Sequence, residues 1–143
     1  MPAELAGDRG GRPENCGWQR RGANYRQNGS MTSVPSWWSQ PRRVAVVVDN
    51  PSWIAPFGEQ LTSLIAEGGD NARFCVRHDE IVDVDIVFYI GCIRISPPHV
   101  LARAKRNLVV HESDLPKGRG MSPLTWQIIE GESEIPICLL EAA

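Results

Sequence analysis

Two runs, Val44-Ala45-Val46-Val47-Val48 and Ile86-Val87-Phe88-Tyr89-Ile90, carry an apolar residue at every position. A strand with one wet face alternates apolar with polar residues. A run without alternation needs cover on both faces, as does a central strand of a parallel sheet layered by helices. The first run stops at Asp49-Asn50-Pro51-Ser52 and the second at Gly91, both turn-forming signals that mark where the chain leaves the sheet.

The other elements follow from that frame. Ile54, Phe57, Leu61, Leu64 and Ile65 recur at the spacing of one helical face, with Asn50 or Ser52 as the expected cap and Gly68-Gly69 as the stop. Phe74-Cys75-Val76 predicts a short second strand, and Pro97-Pro98 opens a short helix through Val100, Leu101 and Ala104. Leu108-Val109-Val110 predicts the fourth strand. Pro123 starts a helix with Leu124, Ile128 and Ile129 on its apolar side, closed by Gly131, and Ile135 to Leu140 forms a fifth strand. This order is an α/β pattern with a mainly parallel open sheet. Ligands bind such sheets beyond the carboxyl ends of the strands, where Asp49, Gly91 and His111 fall.

Residues 1–40 have no such periodicity. Their mixture of Gly, Pro, Arg, Asn and Ser cannot bury enough apolar surface to offset chain entropy, which predicts a disordered extension ahead of a domain at 43–143. Met31 is an alternative start. The net charge of -2 conceals a basic beginning and an acidic remainder, an unlikely composition for a globule that binds polyanions. Arg20, Arg21, Tyr25 and Arg26 read either as a nucleic-acid tail or as a solvated extension. Cys16, Cys75, Cys92 and Cys138 lie far apart with no CxxC pair, which argues for buried free thiols rather than a disulfide framework or zinc site. No apolar run approaches the roughly 20 residues that span a bilayer, so the expectation is a soluble cytoplasmic protein.

The first strand-to-helix turn, DNPSW, lacks the G-x-G-x-x-G of dinucleotide sites, and no G-x-x-x-x-G-K-[ST] occurs. Asp49 is therefore either a ligand contact or a turn cap. His111 follows an apolar strand directly and should project at the sheet edge, able to donate to an oxygen that gains charge. Ser113 has no nucleophile elbow around it and reads as a turn hydroxyl. Lys117, Gly118, Arg119 and Gly120 make a cationic loop that either holds a phosphate or carboxylate or is simply solvated. His78 and His99 lack metal-ligand spacing to anything nearby, and no metal is expected.

The stretch from His111 to Gly131, HESDLPKGRGMSPLTWQIIEG, resembles the signature of the formyltransferases that use 10-formyltetrahydrofolate. In that signature a strand-end His is followed by a Ser-x-Leu-Pro-x-x-Arg-Gly type loop, matched here by His111, Ser113, Leu115, Pro116, Lys117, Arg119 and Gly120. Gly91-Cys92-Ile93-Arg94-Ile95-Ser96 is similar to the family's folate-lining loop. The resemblance covers roughly Val44 to Glu141 and implies a Rossmann-like domain, incomplete at its C-terminus. It implies formyl transfer from 10-formyltetrahydrofolate to a small amine, on an amino-sugar nucleotide for surface polysaccharide or on methionyl-tRNA. Nucleic acid would be a partner only in the tRNA case, and a non-catalytic folate- or nucleotide-binding remnant is the alternative.

By the same resemblance, Gly91, Ile93, Arg94, Ile95, Ser113, Leu115 and Pro116 would line the folate pocket. Asp49, Lys117, Arg119 and Gly120 would face the acceptor. In the family a His, an Asn two residues before it and a downstream Asp share the chemistry. His111 matches, but Val109 stands at the Asn position. Asn107 is the candidate substitute, on the same face yet displaced by about 7 Å. The family's Asp lies beyond a strand that ends here at Leu140, and the chain stops at Ala143, which predicts a truncated reading frame.

Overall fold

The computed structural model describes Trp38 and residues 41–142. The expected extension over residues 1–40 lies outside them apart from Trp38. The elements run β1 (Arg43–Val47), α1 (Ala55–Glu67), β2 (Asn71–Cys75), β3 (Val84–Ile90), α2 (Pro98–Leu101), β4 (Ala104–His111), α3 (Pro123–Glu130) and β5 (Cys138–Glu141), with a 3₁₀ turn at His78–Glu80 after β2. They form one sheet in the order β2-β1-β3-β4-β5. Among the first four strands every pairing is parallel, as the unbroken apolar runs predicted.

Both faces of β1 are closed. Ala45 and Val47 are fully buried on one side, where they join Cys75, Ile81, Val87, Tyr89 and Val100. Val44, Val46 and Val48 fill the other side, against α1. At the amino edge of the sheet Asp85 is hydrogen-bonded by Arg43 and Lys105, and Arg43 first and Lys105 second hold its carboxyl well below the usual carboxylate range. Arg42 grips both oxygens of Asp70, Oδ1 at 3.1 Å through Nε and Oδ2 at 2.6 Å through Nη2, and lies over the Trp38 ring. These pairs anchor the start of β1 to β3 and to the turn before β2. No helix among the described residues is long and apolar enough to cross a membrane.

Four local expectations are corrected. The buried stripe of α1 is Gly58 with half-buried Ile54, Leu61 and Ile65, whereas Phe57 and Leu64 are exposed. Phe57 instead meets Trp53 edge to face on the outside. Ser52 is not the cap. Its hydroxyl accepts from Ile54 N–H in the preceding turn, and Pro56 at the helix start already removes one donor that a cap would satisfy. The helix opened by Pro98 stops at Leu101, because Ala104 is already the first residue of an eight-residue β4. Finally, Ile128 and Ile129 of α3 are exposed. The sheet is mainly parallel as expected; β5, which starts at Cys138 rather than Ile135, is antiparallel to β4, with Cys138 opposite His111. α3 stays at the edge where β4 ends, held by Gln127 donating to the Glu112 carbonyl at 2.7 Å, so the chain re-enters the sheet from that edge.

Gly58 sets how closely α1 approaches the sheet. A Cβ there would sit 2.8 Å from both a Phe74 ring carbon and a Val48 methyl. Alanine ordinarily gains about 1 kcal/mol over glycine inside a helix, but here overpacking opposes it. Gly58→Ala is expected to destabilise the domain by about 1–3 kcal/mol in urea unfolding; a stabilised variant would contradict this packing.

Candidate active site

Since β1, β3 and β4 are parallel neighbours, their carboxyl ends deliver Asp49, the Gly91–Ser96 loop and His111 side by side. Gly91, Cys92, Ile93, His111, Glu112 and Gly120 line one cavity of about 280 Å³ at this edge. His111 is half-buried, and its Nε2 lies 3.3 Å from the Gly118 carbonyl, to which it donates as an N–H. That long contact orients the ring toward the loop without burying it.

The Gly91–Ser96 loop is tied down from below. Gly91 leaves β3 with φ +57, a conformation that favours glycine, and a Cβ there would come within 3.2 Å of Ile54. Ile93 and Arg94 then donate their backbone N–H groups to the two oxygens of Asp49, at 2.8 and 3.0 Å. The same carboxylate accepts from His78 Nε2 at 3.0 Å, and His78 Nδ1 meets the Ser96 hydroxyl at 2.6 Å. Asp49 thus uses its side chain to shape the loop, which places it beneath the site rather than facing an acceptor. The meeting of His78 with Asp49 and Ser96 escaped sequence reasoning because chain spacing is a poor guide to proximity when parallel strands bring separate loops together.

Other expected residues divide among neighbouring features. Arg94 and Ile95, with Tyr89, Cys92, Ser96, Leu101 and Val109, line a second cavity of about 270 Å³. Cys92 borders both cavities. Lys117 and Arg119 line a third, of about 490 Å³, together with Ser113, Trp126 and the carboxylates of Asp114, Glu130, Glu132 and Glu134. Ser113 is turned inward. Its hydroxyl is buried with no partner among the described residues, and Gly118 packs so closely that an added Cβ would lie 2.8 Å from the Ser113 Cβ. Leu115 and Pro116, joined by a cis peptide bond, line none of these three cavities.

Asn107 requires revision. It is buried, its amide nitrogen donates to the Leu101 carbonyl at 3.0 Å, and its amide oxygen accepts from Tyr89 at 3.2 Å. These bonds join β4, β3 and the end of α2. Both ends of the side chain are thus engaged within the core.

The fold and the site edge define a Rossmann-like α/β domain whose binding groups gather at the carboxyl ends of parallel strands. The chain is 38% identical over 61 residues to methionyl-tRNA formyltransferase of Rickettsia bellii, a match covering 42% of this chain and 20% of that protein. It is 40% identical over 58 residues to the methionyl-tRNA formyltransferase of Sorangium cellulosum, covering 40% and 19%. Its fold is similar to the methionyl-tRNA formyltransferase from Clostridium thermocellum, with a TM-score of 0.54 at 19% identity over 72% of this chain and 47% of that one. No protein-family model matches the chain. The matched stretch is about a fifth of the length of these curated relatives. Within that partial coverage, the matched stretch is similar in sequence to methionyl-tRNA formyltransferases, and the fold is similar to that of one of them.

Burial raises the Cys92 thiol to about 11, well above its ordinary value. Alkylation of Cys92 at pH 8 with EDTA present, followed on its peptide by mass spectrometry, is expected to be on the order of 10²-fold slower than for a free thiol. A rate matching free cysteine would show that the loop does not shield it.

Proposed function

We propose that this domain carries the formyl-transfer site of an enzyme that moves the formyl group of 10-formyltetrahydrofolate to an amine. The observation that carries the reading is His111 at the end of β4, on the wall of a cavity shared with the Gly91–Ile93 loop and Gly120. The half-exposed Ile93 and fully projecting Ile95 offer apolar surface to a flat ring of the donor. Within this reading the acceptor amine attacks the formyl carbon, and negative charge gathers on the formyl oxygen. A His111 ring N–H stabilises that oxygen. The attacking nitrogen loses a proton and the folate nitrogen leaves, taking one up. Val109 offers no donor and Asn107 is engaged in the core, so His111 carries the oxyanion role without the family's Asn partner.

An amino-sugar nucleotide is the acceptor that the third cavity favours over methionyl-tRNA. Lys117 and Arg119 suit its phosphates, and Trp126 suits a planar base. The same missing Asn also favours a second reading, a folate- or nucleotide-binding domain without turnover.

Assays with 10-formyltetrahydrofolate and a panel of amino-sugar nucleotides distinguish the two. From the full-length gene product that carries the family's Asp, formylated product is expected, with His111→Ala lowering kcat/KM by roughly 10²-fold or more while Ile93→Ala raises KM for the folate. Folate binding with no product from any amine would support the second reading. Turnover indifferent to His111→Ala would overturn the site assignment.

A further inference from the structure

Three donors of different chemistry meet beneath the Gly91–Ser96 loop. Asp49 comes from the end of β1, His78 from the 3₁₀ turn after β2, and Cys92 from the residue after Gly91. One ligand atom from each lies within 4.8 Å of the others. We propose that Asp49, His78 and Cys92 bind a borderline-soft divalent cation, with zinc the best fit, and that the ion fastens the loop to the sheet.

The donor set selects the ion class. A carboxylate oxygen, an imidazole nitrogen and a thiolate sulfur together suit zinc or cobalt, whereas magnesium and calcium call for oxygen alone. In a tetrahedral site with bonds of about 2.0–2.3 Å, neighbouring donors stand about 3.3–3.8 Å apart. The 3.0 Å between His78 Nε2 and Asp49 Oδ2 needs only a slight opening to admit an ion. The side chains are already fixed, since those of Asp49 and His78 are 2% and 10% exposed. Little conformational freedom remains to be lost on binding.

The groups around the three donors fit the same role. Backbone N–H groups of Ile93 and Arg94 orient the carboxylate, as outer partners of a metal-bound carboxylate do. Ser96 Oγ stands 2.6 Å from His78 Nδ1. When Nε2 gives its lone pair to the ion, its hydrogen belongs on Nδ1, and Ser96 turns from donor to acceptor without moving. Among the described residues no Lys or Arg side chain pairs with Asp49. A dication would be balanced by the carboxylate and a thiolate. On binding, the Cys92 S–H bond breaks, a metal–sulfur bond forms, and the proton leaves to solvent. Cys92 also borders both adjoining cavities.

Titration of the chelator-treated, folded protein with Co²⁺ tests this. One equivalent is expected to produce a thiolate-to-cobalt charge-transfer band in the near ultraviolet, bleached by Zn²⁺, with a raised Tm. Cys92→Ser should abolish the band, Cys138→Ser should leave it, and His78→Gln should weaken affinity at least tenfold. A band absent from the wild-type protein, or one that survives Cys92→Ser, overturns the proposal. The wild-type titration decides even if a variant fails to fold, and it is independent of whether the domain transfers a formyl group.

Discussion

Closure of β1 on both faces is the constraint from which the rest of the architecture follows. Five apolar residues in a row leave no side for water, so helices must cover the strand above and below, and crossovers long enough to do so make its neighbours parallel. Parallel strands have their carboxyl ends on one edge. Asp49, Gly91 and His111 each follow or end such a strand, and the packing requirement of the core thereby assembles the rim on which the site stands.

Asp49 links that rim to the core. Its carboxylate receives two backbone N–H groups from the loop after β3 and one hydrogen bond from His78, so three separate segments meet on one side chain. A loop bound in this way presents Ile93 and Ile95 outward while keeping its own amides satisfied. Among the described residues the His111 ring, by contrast, makes one long contact, to the Gly118 carbonyl, and stays half-exposed. The rim therefore combines a rigid floor with a less constrained histidine.

The central strands and the edge position of His111 were legible because unbroken apolar runs and strand-ending turns are local signals. The face of α1 was less so. Phe57 and Leu64 fit helical spacing, yet the sheet approaches at Gly58, which no hydrophobic pattern marks. The reversal of β5 depends on α3 staying at one edge, a tertiary matter that its own Ile128 and Ile129 do not reveal. Asn107 was a candidate through the family resemblance and strand alternation, but alternation says nothing of Tyr89 and Leu101 beside it. His78 was passed over because its partners lie 29 and 14 positions away along the chain and only the sheet brings them together.

The central claim is that His111 and the Gly91–Ile93 loop share one donor-binding surface. It is tested most directly by an NMR titration of the isotopically labelled protein with a stable formyl-folate analogue. The account predicts concerted shifts of the His111 imidazole and the Gly91, Ile93 and Gly120 amides along one saturable curve. Saturable binding that leaves His111 and this loop unmoved, or no binding to the folded protein, would contradict it.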